Sequence, residues 1–202
     1  LIITFYAMEA ISMMSWSLMQ EAQVGTLEQM YMSPAPTQLI VLGRSLASLI
    51  STTLQMVLVL GVAMLIFGVT VPLTLDSIVV LLITMIGLLG FAYIIGGMTL
   101  VFKQVGPLAN IVQNLLFIIN GTFLPVQMMP VWVANLVTLF PSTLGIVLMR
   151  RISLDGATLN MLMADGSLPW LTVHSFIFLM IGMGVYTLCE RQARKLGSLG
   201  QY

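Results

Sequence analysis

Few residues in this sequence could do chemistry. Among 202 residues there is one histidine, His174, one cysteine, Cys189, and seven acidic side chains. A hydrolytic or transfer centre needs a nucleophile, a base beside it and a group that orients the base. His174 has neither a partner cysteine nor a serine in a nucleophile-elbow context, and the acids show no metal-ligand spacing. One cysteine excludes an internal disulfide and a cysteine cluster for zinc, and Cys189 reads as a small apolar residue at a helix end. No G-x-x-x-x-G-K-S/T phosphate loop occurs, so the chain has no nucleotide-hydrolysing site of the usual kind and binds no cofactor of its own by this reading. What remains is a set of polar side chains inside apolar runs: Glu9, Asn114, Asn120 and His174. A polar group in lipid must face protein or water, and an ionisable one such as Glu9 or His174 can instead give up its charge, which makes these four candidates for a transport pathway. Glu9 and His174 read equally as side chains satisfied by a neighbouring helix.

The elements that would carry these residues follow from composition. Only 7% of the residues are charged and 59% are hydrophobic, and the mean hydropathy is +1.07. An ordinary soluble domain has about a quarter of its residues charged. So little charge cannot cover the outside of a water-soluble fold, and the solvent must largely be lipid. The formal net charge of zero lacks the basic footprint that phosphate binding requires, which excludes a nucleic-acid partner. The chain opens with Leu1 inside an apolar run, without a basic n-region or a small-residue cleavage site, so we expect it to begin part-way through a longer protein.

A helix needs about 20 apolar residues to cross a hydrocarbon core. Five segments meet this length, at about 1–20, 40–68, 77–102, 107–124 and 168–189. The expected fold is therefore all-α: a polytopic bundle of five spanning helices forming one transmembrane domain over residues 1–202. Another apolar run, Val131 to Met149, is cut by Pro141 into halves too short to cross, and a re-entrant helical hairpin over about 126–151 is the better reading. Charge supports this. If the run does not cross, Arg44, Lys103, Arg191, Arg194 and Lys195 share one side against Arg150 and Arg151, the usual cytoplasmic bias; if it crosses, the bias disappears. The 21–38 loop and the C-terminal tail are thus expected in the cytoplasm and the hairpin outside. Trp16, Trp170 and Tyr186 fall where helices would meet the headgroups. Gly87, Gly90, Ala92, Gly96 and Gly97 give the third span a small-residue face suited to close helix packing. The 17 methionines read as lipid-facing bulk or as an adaptable lining for hydrophobic cargo.

The loop after the first span is the most informative stretch. Thr26 and Gln29 form a capping box, Gly25 supplies a turn ahead of it, and Glu28 places negative charge near a helix N-terminus. Pro34 and Pro36 then disfavour helix at Ser33 and Ala35, so the helix spans about 26–33. Leu27, Met30 and Tyr31 fall on one face. A membrane-surface helix usually has a Lys/Arg-rich polar face. This segment has no basic residue, so its apolar face is expected to dock into a protein groove.

These residues resemble a known family. Glu21…Gly25-Thr26-Leu27-Glu28-Gln29…Ser33-Pro34, followed by Gly43-Arg44, is similar to the coupling-helix signature of type-2 ATP-binding-cassette (ABC) exporter permeases. Asn120-Gly121-Thr122-Phe123-Leu124-Pro125 and Met129-Pro130-Val131-Trp132 resemble the family's outer turn, Phe140-Pro141 with Arg150 the segment after it, and Ala193 to Gly200 its cytoplasmic tail. One departure stands out: Ala22 and Gln23 occupy places where the family commonly has charges.

The resemblance implies a six-helix core present from its second helix onward. It implies a permease unit, not itself an enzyme, in a bacterial plasma membrane. It further implies a second permease copy or paralogue and a nucleotide-binding subunit that carries ATP and Mg. Glu21, Gly25, Thr26, Leu27, Glu28, Gln29, Met30, Tyr31, Ser33 and Pro34 would engage that subunit, and its closure on ATP would switch the pathway to export a hydrophobic or amphiphilic compound. Two other readings of the residues are an ion-coupled transporter or channel using Glu9, which lacks the internal repeat such folds show, and an anchoring subunit without transport.

Overall fold

The computed structural model describes residues 2–24, 36–68, 74–102, 105–122 and 126–196. Among them the fold is helical throughout, in the order α1 (Ile2–Val24), α2 (Thr37–Phe67), α3 (Leu75–Val101), α4 (Val105–Ile119), a 3-10 turn (Val126–Met128), α5 (Val131–Val137), α6 (Pro141–Asp155), α7 (Leu159–Ala164) and α8 (Ser167–Leu196). The expected all-α membrane bundle is what the chain forms.

Helix ends follow the local sequence. Thr74 caps α3 by accepting from the Ser77 amide at 3.3 Å, with Asp76 in the first turn where the helix dipole favours it. α2 ends at Gly68 and α6 at Gly156, both left-handed with φ of 63° and 66°, as residues without Cβ permit. α7 has only six residues, too few to show as an apolar period.

α3 is the central element and packs along α8, α1 and α6. Its small residues allow this. A Cβ at Gly87 would lie 2.5 Å from the Pro141 ring, one at Gly90 2.5 Å from the Phe178 carbonyl oxygen, and one at Gly97 2.9 Å from Tyr186 Cα. These glycines let backbones meet where no larger side chain fits. α3 also contributes Ala92 and Tyr93 to a core with Tyr6, Met14 and Tyr186, and the Tyr93 and Tyr186 rings meet edge-on at 5.7 Å. The expectation that Tyr186 marks the headgroup boundary is therefore wrong: it is fully buried, because Gly97 leaves room for it against α3. Trp16 and Trp170 are exposed.

α2 shows the opposite character. Only 17% of its spanning window is buried, and Ile50, Leu54, Val57, Leu58, Val62 and Leu65 all face outward. Such a face needs apolar surroundings, lipid or a further helix.

Four helices, α1, α2, α3 and α8, are long and apolar enough to cross a membrane. The expected span over 107–124 contains α4, whose helix has 15 residues, about 22 Å of rise, and the chain continues to Thr122, which meets Thr4 at the start of α1. α4 stops because Gly121 turns to φ 78° and Asn120 spends its side chain on α6. The run from Val131 divides at 138–140, where α5 and α6 meet at 101°. Pro141 opens α6, where its missing N–H costs nothing.

Candidate coupling site

Of the loop residues, Gly25, Thr26, Leu27, Glu28, Gln29, Met30, Tyr31, Ser33 and Pro34 lie outside the described residues. The described structure shows what holds the two ends of that loop.

On the first side, α1 continues to Val24 and carries Glu21 in its last turn. Arg44, two turns into α2, reaches back to α1. Its Nη2 pairs with Glu21 Oε1 and its Nη1 donates to Ser17 Oγ at 2.7 Å. Both side chains are about two-thirds buried or more, at 31% and 23% exposure, so the pair is partly shielded from solvent screening.

On the second side, the start of α2 is tied to α8 and α3. Thr37 Oγ1 donates to Glu190 Oε1 at 2.8 Å, and Arg194 Nη2 donates to the same oxygen at 2.7 Å. Gln38 Nε2 donates to Thr187 Oγ1 at 2.8 Å, while Tyr93 Oη donates to the Gln38 carbonyl at 2.9 Å. Glu190 is buried, and its two donors supply the compensation a buried carboxylate requires. The loop thus springs from two fixed footings, one on α1 and one on α8.

A cleft of about 350 Å³ opens next to the first footing between α1, α2 and α3, with Met13, Met14, Ser17, Arg44, Ser48 and Leu89 among its walls.

The four candidate pathway residues are not brought together. Glu9 is half-buried midway along α1 and Asn114 is exposed on α4. Asn120 is fully buried and accepts from Ser142 Oγ at 3.0 Å and Thr143 Oγ1 at 2.8 Å, joining the end of α4 to the start of α6. His174 Nε2 lies 2.5 Å from the Leu139 carbonyl oxygen, with its ring near those of Trp170 and Phe178. Asn120 and His174 therefore fasten the bent α5–α6 pair to the bundle. Among the described residues no three His, Cys, Asp or Glu side chains come close enough to share a metal ion.

Two participants escaped the sequence reading, the Thr37–Glu190 bond and the direct pairing of Glu21 with Arg44. Opposite charges at the two ends of one loop were a usable signal for the second. The first joins residues 153 apart and left none.

A family model described as ABC-2 type transporter matches residues 1–154. The chain belongs to the ABC-2 type transporter family. It is 28% identical over 150 residues to "Probable multidrug ABC transporter permease YbhR" of Escherichia coli (strain K12). The protein of the same name from Escherichia coli O157:H7 matches equally. Each match takes in 72% of this chain and 40% of the relative, so the chain spans less than half the length of these curated relatives. No solved structure matches. As an ABC-2 family member with several apolar helices of spanning length, the chain is a multi-pass membrane segment of an ABC-2 type transporter protein.

Proposed function

We propose that this ABC-2 permease exports a hydrophobic or amphiphilic compound, drug-like, lipid or glycan, from the cytoplasm across the plasma membrane, driven by ATP hydrolysed on a partner subunit that grips the loop between α1 and α2. The observation that carries this reading is the Arg44–Glu21 clamp. It holds the entry to a loop whose sequence predicts a two-turn capped helix with Leu27, Met30 and Tyr31 on one face. A helix that transmits displacement must be stiffly mounted, and Glu21 and Arg44 on one side with Thr37 and Glu190 on the other supply the mounting. Two permease units would pair around the pathway, and ATP and Mg would sit on the partner. The multidrug label of the relatives favours drug-like cargo within this class.

The test is co-purification of the full-length permease with its nucleotide-binding subunit, followed by cross-linking from Glu28. Leu27→Asp together with Met30→Asp should leave membrane insertion intact and abolish both the cross-link and ATP-driven export into inverted vesicles. Export at the wild-type rate by this double variant would show that the docking face lies elsewhere.

A further inference from the structure

Arg150 stands at the end of the bundle away from the Glu21–Arg44 clamp. It lies on α6 and is half-buried, and its Nη2 donates to the Thr122 carbonyl oxygen at 2.6 Å. A guanidinium has five N–H donors and a charge it cannot lose. Among the described residues no carboxylate pairs with it: Glu21 is held by Arg44, Glu190 by Arg194 and Asp165 by Arg151. The contrast with its neighbour is informative, since Arg151 meets Asp165 at 2.6 Å and also donates to Ser167.

The space beside Arg150 is a cavity of about 440 Å³ between α1, α2 and α6, whose walls include Ile2, Ile3, Leu60, Ile146 and Met149. These are apolar, Thr122 and Ser153 add polar groups, and the neighbouring α2 surface at Val57, Leu58 and Val62 is exposed. The cavity therefore combines a cation that no carboxylate among the described residues pairs with and a mostly apolar wall beside an exposed apolar helix face. Ile2 and Glu21 are about 28 Å apart along α1 by helical rise, so Arg150 and the clamp are well separated along the bundle.

We propose that this cavity is a phospholipid site: the lipid phosphate sits on the Arg150 guanidinium, and an acyl chain lies along Ile3, Leu60, Ile146 and Met149. The anion completes a charge that no carboxylate among the described residues pairs with, and bidentate guanidinium–phosphate pairing supplies the geometry. A lipid with net negative charge is preferred over one whose headgroup is neutral overall.

Native mass spectrometry of the full-length permease, titrated with dioleoylphosphatidylglycerol, tests this. One tightly retained lipid is expected on the wild type, with binding weakened about tenfold in Arg150→Gln and unchanged in Arg151→Gln. Dioleoylglycerol, which lacks the phosphate, should not compete. Equal retention by Arg150→Gln, or loss on Arg151→Gln alone, overturns the proposal. Displacement of the lipid by glycerol phosphate at matching concentration also overturns it, by identifying an anion site that needs no acyl chain. Should Arg150→Gln fail to fold, photo-cross-linking of wild-type protein with phosphatidylglycerol bearing a diazirine acyl chain decides: label on Leu60, Ile146 or Met149 supports the site, and label confined elsewhere refutes it.

Discussion

Arg44 of α2 closes on Glu21 of α1 across the loop that separates them, 23 residues apart in sequence. The contact joins the helix that leads into the loop to the helix that receives its exit.

Arg44→Gln removes the ion pair and the Ser17 bond together. A partly exposed pair contributes about 1 kcal/mol or less to stability, so thermal unfolding should change little while ATP-driven export falls several-fold. Exchanging the charges, Glu21→Arg with Arg44→Glu, should recover part of the export. A large drop in melting temperature without loss of export would assign the pair to folding alone.

Thr26→Ala removes the predicted cap of the loop helix, a loss of about 1 kcal/mol in helix stability. Export should decline while the amount of protein in the membrane stays the same. Transport assays in inverted vesicles, normalised to permease content, measure this.

Gly90→Leu drives a side chain into the Phe178 carbonyl and should destabilise the bundle by about 3 kcal/mol. Gly61→Ala is the control, because nothing lies within 4 Å of a Cβ there. Thermal melts in detergent should separate the two clearly.

Asn120→Leu leaves the buried hydroxyls of Ser142 and Thr143 without their acceptor. The expected cost is about 1–3 kcal/mol, read as faster proteolysis between α4 and α6.

Asp165 gives a pH signature. Hydrogen bonds from the Ser167 side chain and amide, and then Arg151, hold its carboxyl at about 2, below its ordinary 3.8. Its folded-state pKa is depressed, so its stabilisation is complete above the ordinary value and disappears as pH falls from there through about 2. Asp165→Asn should flatten that part of a melting-temperature profile and leave the rest unchanged.

Most of the helices were legible because apolar runs of spanning length are hard to mistake. α4 was the exception. Its run is apolar to Leu124, yet the helix ends earlier because Asn120 binds α6 and Gly121 turns left-handed, and the first of these depends on residues more than 20 positions away. The small-residue face of α3 was readable as spacing, but its partners were not: Gly87 meets α6 while Gly90 and Gly97 meet α8. Tyr186 misled because an aromatic near a helix end suits a headgroup boundary and a glycine-lined core equally well. For the candidate site, Glu21 and Arg44 each stood out in the sequence, but their pairing was not read from it. The same view gave no sign that Glu190 receives Thr37.

The backbone crossing at Gly90 has one further consequence. Because α3 and α8 touch there without intervening side chains, a bulkier residue at Gly90 would force their axes apart. Thr37 fastens the start of α2 to that pair through Glu190, whereas α2 beyond Thr53 is the most thinly packed long helix of the bundle, so a load on the loop would reach the α3–α8 pair before the far end of α2.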